Sequence, residues 1–474
     1  MGRVKVARVQ TRWTWPQLLV GLALLGGVGC GGGEAPRAEP VRPPNLLFVV
    51  VDTLRADHVG ANGYARATTP TIDAVGREGA VFTQAIAQSS WTRPSMATLL
   101  TGLYPTTTGL TCHNFRVPQG DCDLLSPKLV TIAEELRDEH GYLTAGIASN
   151  INLDPIFGFD QGYEHYVSIA ELISGEAEGE WRQKNDWLRE STELVTQQAL
   201  EWLERPRPDR PFLLYLHYLD PHAPYEPPAA TAGTFPPADY AVPEQAAPHV
   251  ARYDEELLYV DRELERVLAA LEAAGERERT AIVIASDHGE EFLDHGSWEH
   301  GFTMYDEQLR VPLVLSIPQV TRPGTVIDRQ VRLLDVMPTL LEGLGLVERA
   351  PQRLQGTSLL PLLAGGELPA LPALSEHGYN PLTSYRSPPW KLILDDRGPI
   401  QLFHLEDDPG EERNLAEQEP EVVARLAGEL AQLRARASEA AELYRGAGGA
   451  VELSAEQIQN LEAIGYSDGV DADD

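Results

Sequence analysis

The sequence predicts an α/β fold, with a mostly parallel sheet sandwiched by helices and a smaller C-terminal α+β subdomain. Three apolar runs of strand length, at residues 45–52, 212–219 and 281–285, have the continuous apolar character of strands buried on both faces. Helical periods lie between these runs, at residues 186–204 and 254–274. Buried strands that alternate with amphipathic helices are typical of a parallel sheet covered on both sides.

Helix and strand patterns in the C-terminal part of the sequence predict the smaller subdomain. Residues 333–344 have the period of a helix, whereas residues 385–394 and 401–405 have the composition of short strands. Residues 411–442 predict a charged helix. The predicted division of the chain is a signal segment at residues 1–29, a tether at 30–44, a large domain at 45–320, a subdomain at 321–445 and an acidic tail at 446–474.

The charge balance excludes some classes of partner. The 474 residues carry 71 Asp and Glu against 38 Lys and Arg, which gives a formal net charge of −33. Because binding to nucleic-acid phosphates or to an anionic membrane surface requires clustered Lys and Arg, neither is expected as the main partner. The apolar fraction of 43% is ordinary for a globular protein and is enough for a buried core. The sequence does not indicate an oligomeric state.

The N-terminus has the pattern of an export signal. A basic segment is followed by an apolar stretch that is rich in Leu and Gly and ends at Cys30. The segment LLGGVGC is similar to the lipobox of bacterial lipoproteins, although Gly27 stands where Leu is usual. We therefore predict a lipoprotein-type signal peptide at residues 1–29, lipidation of Cys30, and export to the bacterial cell envelope as a membrane-anchored lipoprotein. A plain cleaved signal and an uncleaved anchor are the alternatives.

Two further cysteines, Cys112 and Cys122, lie in one polar loop. An exported protein folds in an oxidising compartment, where such a pair is expected to form a disulfide. Two free thiols are the alternative. Neither cysteine has metal-site spacing with a second pair of cysteines.

Polar side chains that can bind a metal follow each of the three predicted strands. Asp52 ends the first strand, and Asp287 with His288 follows the third. Asp220 and His222 follow the second. A single Asp after a strand is more often a turn residue or a helix cap. Because the carboxyl ends of parallel strands meet at one edge of a sheet, where ligands bind, three such ends together predict one site.

A fourth segment, SWTRPSMATLLTG, contains Thr92 and Pro94. Pro94 suits the first position of a helix, where its missing N–H costs no hydrogen bond, so Thr92 is expected at the mouth of that helix. Unpaired N–H groups and the positive end of the helix dipole favour an anion there, either a bound oxyanion or an ionised side chain. The alternative is that Thr92 is simply a helix cap.

Several motifs follow one another in a fixed order from Pro44 onward. They are NLLFVVVDTLRADHVGANGY, TTPTIDAVGREGAVFTQAIAQSSWTRPSMATLLTGLYPTTTGL, HYLDPHAPY, SDHGEEFLDHGSWEHG, YDEQLRVPL, LLDVMPTLLEGLG and HLEDDPGEERNLA. In this order they resemble the sulfatase family of the alkaline phosphatase superfamily over nearly the whole chain. The resemblance implies an alkaline-phosphatase-like fold and an ester hydrolase or transferase.

The chain departs from that family at the nucleophile. Family sulfatases carry a Cys or Ser that is oxidised to formylglycine, whereas counting back from LLTG places Thr92 at this position, with Met96 in place of an Arg. Threonine cannot become formylglycine, because its β-carbon bears a methyl group and oxidation would give a ketone. A threonine nucleophile resembles instead the phosphoglycerol transferases of the lipoteichoic-acid synthase type, the phosphoethanolamine transferases and, more distantly, the phosphonate monoester hydrolases.

The same resemblance implies one divalent cation. Its ligands are expected to be Asp52, Thr92, Asp287 and His288. Thr53 stands where true sulfatases have a second Asp. Two carboxylates and a neutral imidazole suit Mn²⁺ or Zn²⁺ better than Ca²⁺, which prefers oxygen ligands alone. A bound divalent cation lowers the pKa of a coordinated water from about 15.7 to about 7, and a similar effect would make the Thr92 alkoxide accessible.

A second group of residues is implied around this site. His222 resembles the family residue that contacts the ester oxygens. Either His295 or His300 is expected to protonate the leaving group or to bind an oxygen of the ester. The residues expected to support the site or to contact the substrate are Arg55, Asp57, Trp298 and Arg386.

Three functions fit these residues. The first is a metal-dependent hydrolase or transferase of phosphate or phosphonate esters, in which Thr92 is the nucleophile. The second is a sulfuric ester hydrolase that works without formylglycine. The third is a catalytically weak binding protein of the cell surface that keeps the fold. The expected partner is a small-molecule, glycan or lipid ester, and the sequence does not identify it further.

Overall fold

The computed structural model covers most of the chain that follows the N-terminal segment. The described residues are 42–110, 124–170, 172, 186–237, 243–377, 382–446, 451, 453, 457 and 458. Cys30, Cys112 and Cys122 lie outside the described residues, as do the predicted signal peptide and most of the tether and of the acidic tail. Lipidation, export and the disulfide therefore stay predictions. No helix in the described part is long and apolar enough to cross a lipid bilayer.

One large sheet and two small sheets contain the strands of the described residues. The strands are β1 (Asn45–Val51), β2 (Ala80–Ile86), β3 (Leu143–Ala148), β4 (His165–Ser168), β5 (Phe212–Tyr218), β6 (Thr280–Ala285), β7 (Glu291–Phe292), β8 (Trp298–Glu299), β9 (Arg310–Ser316), β10 (Thr325–Ile327), β11 (Val331–Arg332), β12 (Ala373–Glu376), β13 (Leu382–Ser387), β14 (Trp390–Asp395) and β15 (Gln401–His404). The large sheet has the spatial order β10, β2, β9, β6, β1, β5, β3, β4, and β11 also pairs with β2. β7 and β8 form a hairpin, and β12 to β15 form an antiparallel sheet.

The three strands predicted from apolar runs lie side by side at the centre of the large sheet. Every residue of β1, β5 and β6 is buried. β1 pairs in parallel with both β5 and β6, so the carboxyl ends of the three strands meet at one edge. β9 runs antiparallel to β2 and β6, and the other pairs of the large sheet are parallel. The predicted mostly parallel sheet is confirmed.

Helices cover both faces of the large sheet. The longer helices are α1 (Pro70–Glu78), α2 (Thr92–Thr101), α3 (Asp186–Glu204), α4 (Ala247–Ala273), α5 (Val336–Gly343) and α6 (Pro420–Ala441). Single-turn segments are Ala56–His58, Gly60–Asn62, Pro105–Thr108, Ile132–Glu134, Glu135–Glu139, Ile151–Leu153, Pro155–Phe157, Arg277–Arg279, Asp306–Leu309, Leu333–Asp335 and Leu360–Leu363. Apolar side chains of α1, α3 and α4 pack with Val49 and Val51 of β1. Those of α2 and α5 pack with Phe48 and Val50, because alternate residues of a strand face opposite sides.

The C-terminal part differs from the sequence prediction in three respects. The helix predicted at residues 411–442 begins only at Pro420, and Glu411 has a φ of 54°, which an α-helix excludes. The helix predicted at residues 333–344 starts as a tighter turn, Leu333–Asp335, before α5. β10 and β11 follow residue 320 and nevertheless extend the large sheet. The domain boundary at residue 320 stays a prediction.

Candidate active site

Three of the predicted metal ligands meet at the carboxyl edge of the large sheet. Asp52 follows β1, and Asp287 with His288 follows β6. One ligand atom from each side chain lies within 4.8 Å of the other two, and all three side chains are fully buried. Because β1 and β6 are parallel neighbours, the pairing of these strands brings the three residues together.

Thr92 lies beside these three residues. α2 begins at Thr92, so Pro94 is its third residue and not its first, which corrects the sequence prediction. The first four N–H groups of a helix have no intrahelical acceptor, so proline costs no hydrogen bond at the third position either. The Thr92 side chain is fully buried, and its Oγ1 lies 3.2 Å from Nε2 of His288. We call Asp52, Thr92, Asp287 and His288 the donor cluster.

A hydrogen bond to the backbone sets the tautomer of His288. Its Nδ1 lies 3.0 Å from the carbonyl oxygen of Gly289. A carbonyl oxygen only accepts, so Nδ1 carries a proton, and Nε2 is the ring nitrogen that faces the donor cluster and can bind a cation there. Nε2 lies 3.3 Å from Oδ2 of Asp287 and 3.8 Å from Oδ1 of Asp52. One imidazole nitrogen and two carboxylate oxygens therefore surround a common position.

The donor cluster fits a divalent cation. Oδ1 of Asp52 and Oδ2 of Asp287 are buried, and neither accepts a hydrogen bond from the residues that the structure describes. Desolvated carboxylate oxygens without partners cost free energy, which a bound cation offsets. Burial and the nearby Asp287 carboxylate raise the pKa of Asp52 well above its ordinary value. Together with Nε2 of His288, these oxygens form a mixed oxygen and nitrogen ligand set.

Two serine hydroxyls that were not predicted from the sequence fix the loops of the donor cluster. Oγ of Ser286 accepts a hydrogen bond from the backbone N–H of Leu54 at 2.9 Å and donates to the carbonyl oxygen of His288 at 2.6 Å. Ser286 therefore ties the turn after β1 to the turn after β6. Oγ of Ser95, on α2, donates to the carbonyl oxygen of Asp287 at 2.6 Å. This bond couples the helix that carries the nucleophile position to the metal-ligand loop.

Asn150 orients the carboxylate of Asp52. Its Nδ2 donates to Oδ2 of Asp52 at 2.6 Å, while Oδ1 of the same carboxylate faces His288. Asn150 follows β3, which adds a fourth strand to the parallel set that ends at this edge. The order of the strands in the sheet brings a residue after β3 close to Asp52, but the sequence alone has no signal that Asn150 orients this carboxylate.

Thr53, directly after Asp52, has a strained backbone. Its φ is 52°, in the left-handed region, where a β-branched residue is an outlier that costs on the order of 1–3 kcal/mol. The Thr53 side chain is fully buried. Surrounding contacts must therefore hold this residue in place.

Two of the predicted histidines lie next to the donor cluster. The ring centroid of His300 is 4.4 Å from that of His288 and 4.8 Å from that of His222. Nδ1 of His222 donates to the carbonyl oxygen of Ala223 at 2.7 Å, and Nδ1 of His300 lies 3.0 Å from Oε1 of Glu290. Burial and the neighbouring imidazoles lower the pKa of both His222 and His300, so both are neutral near pH 7. Burial raises the pKa of Glu290, which was not predicted from the sequence, to about 8.

Two protein-family models match the chain. The model named Sulfatase matches residues 44–346, and the model named N-sulphoglucosamine sulphohydrolase, C-terminal, matches residues 294–436. The first match covers more than half of the chain and contains the whole donor cluster. The chain belongs to the sulfatase family. The predicted family is confirmed, and the chain is an ester hydrolase of a family whose members bind a divalent metal ion.

Relatives in the sulfatase family are similar over most of their length. Arylsulfatase K of Gallus gallus is 29% identical in an alignment 487 positions long, which covers 86% of this chain and 85% of that protein. N-acetylglucosamine-6-O-sulfatase of Bacteroides thetaiotaomicron is 25% identical in an alignment 508 positions long, which covers 84% of this chain and 86% of that protein. The crystal structure of the phosphonate monoester hydrolase of Agrobacterium radiobacter has a TM-score of 0.66 and 23% identity, and covers 83% of this chain and 96% of that chain. This likeness confirms the alkaline-phosphatase-like fold.

Arg55, Asp57 and Trp298 make other contacts in this sulfatase-family chain. The guanidinium of Arg55 forms ion pairs with Asp57 and Asp294, each at 2.9 Å. The ring of Trp298 packs on His249, with 5.0 Å between centroids. None of the three predicted residues supplies an atom to the donor cluster, and their proposed roles toward substrate stay predictions.

Arg386 belongs to a buried ion-pair network between the large sheet and the antiparallel sheet of β12 to β15. Its guanidinium lies 3.1 Å from Oδ2 of Asp306 and lines a cavity of about 460 Å³. Lys391, on β14, is fully buried and contacts the carboxylates of Asp306 and Glu411, each at 2.8 Å. The structure therefore gives Arg386 a place in this network and not among the atoms of the donor cluster.

His295 forms an ion pair with Glu307. Its Nδ1 is 2.6 Å from Oε1 of Glu307, and its ring stacks on Tyr305 with 3.6 Å between centroids. Its Nε2 is 3.1 Å from the carbonyl oxygen of Gly410. Of the two histidines that the sequence offers as alternatives, the structure brings His300 beside the donor cluster.

The His295 pair predicts a pH-dependent contribution to stability. Burial disfavours the protonated ring, but the Glu307 carboxylate outweighs burial and raises the pKa of His295 to about 9. A folded-state pKa above the unfolded value of about 6.5 stabilises the fold fully below pH 6.5, and this stabilisation is lost as the pH rises through about 9. At pH 6 we expect His295→Gln to lower the free energy of unfolding by about 2 kcal/mol.

At pH 10 the same substitution should cost much less. Urea unfolding of both proteins at the two pH values measures the difference. Glu307→Gln removes the partner carboxylate and should reproduce the pH pattern. An equal loss of stability at both pH values would show that packing on Tyr305, and not the ion pair, is the source of the effect.

Proposed function

We propose that this chain is a metal-dependent hydrolase or transferase that acts on phosphate or phosphonate esters through Thr92. The observation that carries the proposal is the position of Thr92 Oγ1, 3.2 Å from Nε2 of His288 within a buried set of ligand atoms. Asp52, Asp287, His288 and Thr92 would hold one divalent cation. Their oxygen and nitrogen donors favour Mn²⁺ or Zn²⁺ over Ca²⁺.

The chemistry proposed for Thr92 is covalent catalysis. When bound, the cation supplies the Lewis acidity that lowers the pKa of a coordinated hydroxyl. Oγ1 of Thr92 loses its proton to water and attacks phosphorus, and the bond from phosphorus to the leaving oxygen breaks on the opposite side. Water or an acceptor alcohol then cleaves the phospho-threonine and restores the hydroxyl. Water as the acceptor makes the protein a hydrolase, and an alcohol makes it a transferase.

His300 and His222 are proposed to handle the proton of the leaving group. Both rings are neutral in the free protein, because burial and the neighbouring imidazoles lower their pKa values. An anionic ester bound beside them favours the protonated ring, so either histidine can take up a proton and pass it to the leaving oxygen. Glu290 fixes the orientation of the His300 ring through its contact with Nδ1.

Sulfate esters are the second candidate substrate. The names of the two relatives, an arylsulfatase and an N-acetylglucosamine-6-O-sulfatase, favour a sulfuric ester, in the second case on a sugar. Thr92 argues against that substrate, because formylglycine cannot form from threonine. A sulfatase of this kind would have to transfer sulfate to the threonine oxygen itself.

Esters of three different acids with the same leaving group distinguish the two candidate substrate classes. We expect the Mn²⁺-loaded protein to cleave the p-nitrophenyl esters of phosphate and of a phosphonate with kcat/KM at least about tenfold above that for p-nitrophenyl sulfate. A parallel preparation of Thr92→Ala protein excludes contaminating phosphatases. Faster cleavage of the sulfate ester would support the second candidate and contradict the first.

A further inference from the structure

The turn that follows the metal ligand Asp52 is held in an unfavourable conformation. Thr53 has a φ of 52°, and its Oγ1 is buried without a hydrogen-bond partner among the described residues. Within the described part of the chain, the Thr53 side chain therefore makes no hydrogen bond that secures its backbone. The left-handed conformation of a β-branched residue persists only where surrounding groups impose it.

The hydroxyl of Tyr253 bonds to this turn on both sides. It donates to the carbonyl oxygen of Thr53 at 2.8 Å and accepts from the backbone N–H of Arg55 at 2.9 Å. Tyr253 lies on α4, and its ring is fully buried against His58 and Phe292, each 5.1 Å away between centroids. The packed ring therefore presents its hydroxyl at a fixed position.

We propose that Tyr253 is a positioning residue of the metal centre, which holds Thr53 in its left-handed conformation and thereby fixes the direction of the Asp52 carboxylate. The inference rests on the proposed function in one respect, the cation at the donor cluster. Two backbone bonds from one rigid hydroxyl restrain the residues on either side of Leu54. Ser286 anchors the N–H of Leu54 between them, so the turn is held at three consecutive residues.

Loss of the Tyr253 hydroxyl should therefore weaken metal binding without unfolding the protein. Tyr253→Phe keeps the ring and its packing and removes both hydrogen bonds to the turn. Removing a group bonded directly to a ligand side chain typically weakens metal affinity about 10- to 100-fold. Tyr253 bonds to the backbone beside the ligand and not to the Asp52 carboxylate, so we expect a loss for Mn²⁺ near the lower end of that range, about tenfold. Titration calorimetry with the metal-free protein measures the affinity, and the EPR spectrum of bound Mn²⁺ reports the ligand geometry.

Tyr218→Phe is a matched control. Tyr218 is also fully buried, and its hydroxyl bonds to Oγ1 of Thr196 on α3 at 3.0 Å. Its backbone carbonyl oxygen accepts from the N–H of Asp52 at 2.9 Å, and Tyr218→Phe leaves this bond in place. This control removes a buried tyrosine hydroxyl and should leave the Mn²⁺ affinity unchanged. A similar loss of affinity in both variants would overturn the proposal, because it would reflect a general loss of stability.

A double-mutant cycle with Thr53→Gly tests the role of the strained conformation. Glycine adopts positive φ without strain, so the effect of Tyr253→Phe on Mn²⁺ affinity should shrink when residue 53 is glycine. An effect of undiminished size in that background would overturn the proposed link through Thr53. Equal affinities of the wild type and Tyr253→Phe would overturn the inference alone. A wild-type protein that binds neither Mn²⁺ nor Zn²⁺ would overturn both the inference and the proposed function.

Discussion

Replacing Thr92 with alanine should remove turnover and leave the protein folded. If Oγ1 of Thr92 is the attacking atom, its removal eliminates the covalent step, and kcat for the p-nitrophenyl phosphate or phosphonate ester should fall by about 10⁴-fold or more. The substitution shortens one side chain at the start of α2 and leaves Ser95 to hold the helix against the Asp287 loop. Steady-state kinetics and a thermal unfolding curve, measured on the same preparation, separate loss of chemistry from loss of structure.

Thr92→Ser is the matched control for that result. Serine keeps a hydroxyl at the same position and should retain measurable turnover. A labelled phosphoryl group trapped on residue 92 and mapped by mass spectrometry would identify the covalent intermediate directly. Unchanged activity of Thr92→Ala would mean that Thr92 is not the nucleophile. Absence of turnover in the wild type would favour the third function, a catalytically weak binding protein.

Substitution of the ligands on the loop after β6 should empty the metal centre. Asp287→Asn removes one of two carboxylates that face the common position, and His288→Ala removes the imidazole that Gly289 orients. Each change deletes a direct ligand, so the loss of affinity should exceed the roughly 10- to 100-fold typical of an outer partner. We expect elemental analysis to find about one cation per wild-type chain and far less in both variants.

Asp261→Asn provides the comparison for a buried carboxylate outside the site. Asp261 accepts hydrogen bonds from the backbone N–H groups of Thr71 and Ile72, each at 2.9 Å, at the start of α1. This variant should lose stability and keep its metal. Full metal occupancy in both ligand variants would exclude the donor cluster as the metal site.

The ligands could be predicted because strand geometry determines where they meet. Asp52 and Asp287 each follow an apolar run of strand length. Parallel pairing of these strands places both residues at the carboxyl edge of the sheet, independently of the rest of the chain. The choice between His295 and His300 depends instead on a hairpin. β7 and β8 reverse the chain between them, so His295 lies in the connecting loop and His300 just beyond the second strand. Strands of two residues have no periodicity from which this turn could be predicted.

The groups that hold the ligands could not be predicted for a different reason. Ser95 and Ser286 act through backbone carbonyl oxygens, and such bonds depend on the path of the chain and not on the identity of the residue contacted. Tyr253 lies 200 residues from Thr53 in sequence. Two predicted helix boundaries were wrong for local reasons. Pro94 is tolerated beyond the first helical position, and Glu411 adopts a positive φ that an α-helix excludes.

The buried ammonium of Lys391 restricts how a chain of this kind can recombine. Lys391 belongs to the C-terminal sheet, whereas its partner Asp306 opens the segment that leads into β9 of the large sheet. A buried charge deprived of its partner costs about 3–5 kcal/mol. Both cations that pair with Asp306, Lys391 and Arg386, belong to the C-terminal sheet. Replacement of this sheet would therefore leave the Asp306 carboxylate without a partner unless the incoming sheet supplied a cation at the same place.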